Sequence, residues 1–295
     1  MHYVIGDVHG CYEEMMELLH KIESQDSRAR YIFVGDFIDR GPQVWETLTW
    51  MMEHIQLGGK YQSVVGNHEF MIEEWYRDEF LPWWQETNGT DTAYFPTTHY
   101  DFSRRLRENV RVCPENIEPI VTFFQSMPYT IGIELKRGIR YHIVHGWLPP
   151  ESLAYGRKRE YAVWERRYTG NYESEDVIIH GHTPTFLRDY QIVESHEMQW
   201  PGRIGYRKNA INVDCGCCFA KNVEYPCALG AICLETLEEI YSRSVEEAFD
   251  QKQKGEDIYS KAEAEKHAQE YEKRYPSVPN RYREEILQRL RNVPT

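Results

Sequence analysis

The stretch YIFVGDFIDRGPQ, Tyr31 to Gln43, begins as an apolar strand and then breaks into Asp36, Asp39 and Arg40 among glycine and proline. A segment that only had to turn has no need of two carboxylates and a guanidinium at the end of a buried run. The same form recurs along the chain. YVIGDVHG runs apolar through Ile5 and then presents Asp7 and His9, while QSVVGNHE presents Asn67, His68 and Glu69. RYHIVHG presents His145, and DVIIHGHTP presents His180 and His182. Each apolar run is short and rich in β-branched or aromatic residues, the pattern of a buried strand.

The segments between these runs read as helices. CYEEMMELLHKIE places Tyr12, Met15, Met16, Leu19 and Ile22 on one face. PQVWETLTWMMEHIQLGG has Pro42 near a first turn, a stripe of Val44, Leu48, Met51, Met52 and Ile55, and Gly58 and Gly59 past the end. Alternating strand and helix predicts parallel pairing with helices packed outside. In such sheets ligands bind beyond the carboxyl ends of the strands. Polar clusters spread over residues 7 to 182 are then expected to meet in space.

Composition narrows the alternatives. The chain has 295 residues, 41% of them hydrophobic, enough for the core of one large domain with an appendage. A formal net charge of −13 argues against wrapping a nucleic-acid duplex. There is no apolar run of about eighteen residues, so no membrane span is expected. The opening MHYVIGD enters a strand at once without a basic region and long apolar stretch, so no signal peptide and a cytoplasmic location are expected. No Gly-Lys-Ser/Thr phosphate loop is present. The seven cysteines, including Cys215, Cys217 and Cys218 of DCGCC, lack C-x-x-C spacing and read as small buried residues rather than as a zinc site.

Taken singly, each polar cluster reads as a cap, a turn or a core histidine. Repetition at the same structural place changes that reading to a metal centre. Asp7, Asp36 and Asn67 offer oxygen, and His9, His145 and His182 offer nitrogen, a set suited to manganese, iron or zinc. Six donors exceed one tetrahedral ion but suit two divalent ions sharing a carboxylate, an arrangement that serves phosphoryl displacement. Arg40 is placed to grip phosphate, and His68 with Asp39 forms an acid pair for a leaving oxygen.

GDVHG, GDFIDRG and GNHE, followed by VHG and GHTP, resemble the signature of the PPP-type metallophosphatases of the calcineurin-like phosphoesterase superfamily. They are closest in look to the bacterial and phage branch of lambda-type protein phosphatases and symmetrical diadenosine tetraphosphatases. The resemblance covers about residues 2 to 240, with NGTDT, VWER and INVDCG as weaker matches. It implies an α/β (α+β) fold, a β-sandwich of two mixed sheets flanked by helices. It also implies one ion on Asp7, His9 and bridging Asp36, and a second on Asp36, Asn67, His145 and His182. Arg166 of VWER would be a second phosphate arginine beside Arg40, with Arg167 adjacent to it. His180 would not be a ligand.

Two departures stand out. Trp147 follows His145 where the family has a small residue, which suggests a reshaped groove. Residues 75–100 are aromatic, with Trp83 and Trp84 read as part of a helical cap.

The expected organisation is a catalytic domain, 1–242, and a charged helical extension, 243–295, broken at Pro276 and Pro279 before a basic helix from Arg281 to Arg291. The leading expectation is a metal-dependent phosphatase of serine/threonine type, in which hydroxide on the two ions attacks phosphorus directly. Its partner would be a phosphorylated protein or a small phosphoester. A dinucleoside polyphosphate hydrolase is the alternative within the family. A non-catalytic metal-bound scaffold for a phosphorylated partner is the alternative outside it, and that reading predicts a lost ligand or acid pair.

Overall fold

The computed structural model describes residues 1–86, 114–135, 139–166, 174–187, 200–220, 223–250, 261–274 and 280–292. The strands are β1 (His2–Ile5), β2 (Arg30–Phe33), β3 (Tyr61–Ser63), β4 (Thr130–Glu134), β5 (Arg140–Val144), β6 (Val177–His180), β7 (Gly205–Arg207), β8 (Ala210–Asn212), β9 (Gly230–Cys233) and β10 (Glu239–Tyr241). They form two sheets of five, ordered β10-β9-β1-β2-β3 and β4-β5-β6-β8-β7. Within the first, β1, β2 and β3 are parallel, with β9 and β10 antiparallel at one side. Within the second, β5, β6 and β8 are parallel, flanked by antiparallel β4 and β7. Both sheets are mixed, as the resemblance implied.

Period-two alternation assigns each strand residue to a layer. Val4 and Ile32 of the first sheet meet Ile143, Ile179 and Ile211 of the second in the inter-sheet core. Tyr3, Ile5, Tyr31 and Phe33 point the other way, beneath α1 (Tyr12–Gln25), α2 (Val44–His54) and the helix Pro114–Ser126. A third, smaller core of Val144, Ile178 and Ala210 lies on the far face of the second sheet. Every strand in the middle of the sandwich is covered on both sides, so it reads as a continuous apolar run.

The helical faces differ in detail from expectation. In α1 the buried residues are Met15, Leu18, Leu19 and Ile22, and Met16 is 37% exposed. In α2 they include Val44, Leu48, Trp50 and Met51, and Met52 is 36% exposed. Adjacent helical positions lie about 100° apart, and in each methionine pair the second falls at the rim of the buried face. Trp147 is a buried core residue. It is buried with Val144, Ala162, Ile178 and Ala210, its ring edge-on to His180 at 5.3 Å. The residue adds to the outer core of the second sheet.

The C-terminal helices pack against the rest of the chain. The helices Val245–Asp250 and Lys261–Arg274 pack Phe249, Ala268 and Tyr271 against Trp200 and Tyr225. The helix Arg281–Asn292 places Ile286, Leu287 and Leu290 in the inter-sheet core. Pro276, Pro279, the NGTDT stretch and the side chains of Trp83 and Trp84 lie outside the described residues. Among the described residues, no helix is long and apolar enough to cross a membrane.

Candidate metal centre

The parallel strands of both sheets, β1, β2 and β3 in one and β5, β6 and β8 in the other, end at a common edge, and their loops are laced together by backbone. The Asp36 carbonyl accepts from Val8 N and His9 N at 3.0 and 2.8 Å, and Gly41 N donates to the His9 carbonyl at 2.8 Å. The Glu69 carboxylate accepts from Asp36 N (2.9 Å), Phe37 N (2.8 Å) and Gly66 N (2.9 Å), clamping the loop after β2 onto the start of α3 (Asn67–Trp75). His9, Asp36, Asp39, Arg40 and His182 all hold positive φ, between 46° and 67°. L-residues avoid that region, and such strain gathers at functional sites where the surroundings over-determine the backbone. Gly181 has its own reason: a Cβ there would lie 2.1 Å from Asp7 Oδ1.

The donor atoms converge. Asp36 Oδ2 lies 3.4 Å from His9 Nε2, 3.3 Å from His145 Nε2 and 4.0 Å from His68 Nε2. His145 Nε2 is 2.9 Å from Asn67 Oδ1 and 3.1 Å from His182 Nδ1. Two groups with metal-ligand spacing result, His9–Asp36–His68 and Asp36–His145–His182, sharing Asp36. Asp7 joins them through its Oδ2, which accepts from His182 N at 3.0 Å. Asp7, His9, Asp36, Asn67, His145 and His182 thus occupy one place, and all are buried. His180 stands in neither group.

The residues fit cations. His9 Nδ1 faces the Ile38 carbonyl at 2.9 Å and His145 Nδ1 faces the Val34 carbonyl at 2.8 Å. A carbonyl only accepts, so in each ring Nδ1 carries a proton, and Nε2 is turned toward the Asp36 carboxylate. Asp36 Oδ2, Asn67 Oδ1, His145 Nε2 and His182 Nδ1 thus converge on one point, the kind of donor set that a cation can hold together. Among the described residues, Asp7 Oδ1 and His182 Nε2 are buried with no hydrogen-bond partner. Leaving such atoms unsatisfied is costly unless a ligand takes them up.

Electrostatics points the same way. Burial lowers His9 to about 3 and His182 to about 2, so both imidazoles are neutral and ready to coordinate at pH 7. Burial, with Asp214 and Asp36 nearby, pushes Asp7 well up. Burial also acts upward on Asp36, but the imidazoles of His145 and His68 outweigh it and hold this carboxyl well below its usual range. His68 is raised despite burial, because Asp36 and Asp39 favour its charged form.

A cavity of about 340 Å³ opens on this cluster. His68, Arg40 and Arg166 line it beside His9, Asp36, Asn67 and His182. His68 Nδ1 contacts Asp39 Oδ2 at 2.6 Å, the pairing expected from sequence. Arg166 Nη1 donates to the His182 carbonyl and to Thr183 Oγ1 at 2.9 and 2.8 Å, which aims its side chain at the site. Arg167 lies outside the described residues. Arg40 is exposed, its guanidinium 5.2 Å above the Phe219 ring.

Two buried acids had no role in the sequence reading. Glu69 is the loop clamp described above; its place three residues after Gly66, at the third position of a helix, was the available signal. Asp214 lines the cavity, accepts from Gly216 N at 3.0 Å and is pushed by burial to about 6. The signal was the same apolar run and polar break, here INVDCG with Asp214 at its end.

A two-sheet sandwich with a shared carboxylate between two imidazole groups at its strand ends defines a metal-dependent hydrolase class. The model of the calcineurin-like phosphoesterase family matches residues 3–186, and the chain belongs to that family. The symmetrical bis(5'-nucleosyl)-tetraphosphatase of Methylococcus capsulatus is 43% identical over 70 residues, and that of Escherichia coli strain K12 / DH10B is 40% identical over 70 residues. Each match spans 24% of this chain and 24% of the relative. A solved metallophosphoesterase from Sphaerobacter thermophilus aligns over 98% of both chains at 14% identity and a TM-score of 0.46.

Proposed function

We propose that the protein is a dimetal phosphoesterase that hydrolyses a phosphate ester or anhydride at the cavity bounded by Arg40, His68 and Arg166. The observation that carries this reading is Asp36 Oδ2, held between His9 Nε2 and His145 Nε2 and common to both groups. Asp7, His9 and Asp36 would hold one divalent cation, and Asp36, Asn67, His145 and His182 the other. Manganese is the first choice, with iron or zinc compatible with the same donors. Bound there, the cations supply Lewis acidity toward phosphoryl oxygens and lower the pKa of water.

The chain's own groups do the rest. Arg40 and Arg166 orient the substrate through its non-bridging oxygens, as guanidinium forks do. Asp39 fixes the Nδ1–H tautomer of His68, so the proton it can deliver is on Nε2, toward the cavity. The upward shift of His68 favours the protonated acid near neutral pH. All ligands and the acid pair are present, which counts against a non-catalytic scaffold.

For the substrate, the name carried by the curated relatives supports a dinucleoside polyphosphate. Phosphoserine or phosphothreonine in a protein, the leading expectation from sequence, ranks second. Metal analysis combined with hydrolysis of p-nitrophenyl phosphate in added manganese tests the reaction. Absence of turnover at full metal occupancy would reject it. A side-by-side assay of diadenosine tetraphosphate and a phosphoserine peptide then ranks the substrates.

A further inference from the structure

The cavity has a second half that the phosphate chemistry leaves unused. Beyond the polar cluster it is lined by Pro184, Phe186, Leu187, Phe219 and Val223, which contribute apolar side chains. Phe186 and Phe219 stand edge to face, with centroids 5.5 Å apart at 76°. The wall adjoins the phosphate grip directly, because the Arg40 guanidinium rests over Phe219. Gly216 makes the wall possible: its φ is +70°, and a Cβ there would come within 2.4 Å of the Phe186 ring.

The wall is also held from behind. Tyr225 stacks on Phe186, with centroids 6.0 Å apart at 21°. Tyr225 in turn packs, with Trp200, against Phe249, Ala268 and Tyr271 of the C-terminal helices. Tyr271 Oη donates to the Pro201 carbonyl at 3.1 Å. A line of rings therefore runs from the phosphate arginine to the extension.

Resting on the phosphoesterase reading above, we infer that Phe186 and Phe219 form a stacking subsite for the nucleobase of a nucleoside polyphosphate, with Tyr225 and the C-terminal helices positioning it. A peptide segment against this wall would bring amides that need partners, and burying them unpaired is costly. A flat ring carries no such requirement on its faces. Stacking on phenylalanine tolerates any base, since every base has a π-face. The subsite therefore selects for a ring joined to phosphate and discriminates little among bases.

The test compares kcat/KM for diadenosine tetraphosphate, phosphoserine and phosphotyrosine in the full-length, manganese-loaded protein. In Phe186→Leu, which keeps apolar volume and removes the ring, the ratio of dinucleotide to phosphoserine should fall about tenfold, mainly through KM. Phe186→Ala should act in the same direction, and the leucine variant decides if the alanine variant does not fold. Tyr225→Leu, a positioning change, should raise KM for the dinucleotide about threefold while kcat holds. Guanine in place of adenine should change kcat/KM by less than about threefold. An unchanged ratio in Phe186→Leu, equal loss on dinucleotide and phosphoserine, or a wild type that cleaves phosphoserine but not the dinucleotide would overturn the subsite. Loss confined to phosphotyrosine would reassign the wall to aryl phosphates and overturn the nucleobase reading. A wild type inactive on all three substrates would instead reject the phosphoesterase reading itself.

Discussion

The ends of β1, β2 and β3 bring mostly oxygen to the site, with Asp7, Asp36 and Asn67 accompanied by His9 and His68. The ends of β5 and β6 bring nitrogen, from His145 and His182. The first set is laced together by the loops of a single sheet, through the Asp36 carbonyl and the Glu69 carboxylate. The second reaches it only across the sandwich, where His145 meets the Val34 carbonyl and His182 N meets Asp7. The loops of one sheet thus hold half of a charged site, and the other sheet supplies the rest across the sandwich. Asp36 is the hinge of the comparison, since it belongs to both groups.

Breaking that hinge should have the largest effect. Asp36→Asn keeps the shape but removes the shared charge, so both cations should be lost together and kcat/KM should fall by about a thousandfold or more. Elemental analysis checks it. Retention of one full equivalent would show that the two halves hold metal independently. Next is His68→Asn, where kcat should fall by about a hundredfold or more while metal content persists. His68 also falls in the group with His9 and Asp36. Departure of metal with the activity would therefore make His68 a ligand rather than the acid.

A smaller effect is expected where the sheets touch. Gly181→Ala would press a methyl group onto Asp7, and manganese affinity measured by titration should weaken about tenfold. Full affinity would mean that Asp7 is not held by the second sheet. The smallest effect is in pH dependence. Asp7 is raised, and burial lifts Glu69 to about 7 and Asp214 to about 6, while Asp36 is held low and stays ionised. Ionising a carboxyl whose folded value is raised costs stability, so the metal-free protein should weaken as pH climbs through those folded values. Cations offset the repulsion once the groups are ionised. The gain in Tm from manganese should therefore be a few degrees larger at pH 8 than at pH 5.5. An equal or smaller gain at pH 8 would remove this electrostatic account.

How much of this was legible depends on how locally each feature is encoded. The apolar run and polar break of YIFVGDFIDRG carries both a buried strand and its functional loop within a few residues. Strand positions, the six candidate donors and the His68–Asp39 pair are therefore legible in short segments, and the structure brings these side chains together. Helical faces were read less well: Met16 and Met52 are apolar, and only the packing of α1 and α2 against the first sheet turned them outward. Trp147, a departure from the family's small residue that suggested a reshaped groove, packs in the outer core of the second sheet.

By itself, the order of residues determined which side chains could bind metal and which runs would be buried, because donor chemistry and strand periodicity are properties of short segments. The pairing of sheets, the burial of Glu69 and Asp214 against the centre, and the ring line from Arg40 through Phe219 and Phe186 to Tyr225 were decided only in three dimensions. Each depends on contacts between segments far apart in the chain, and no local pattern encodes which distant surface a side chain will meet.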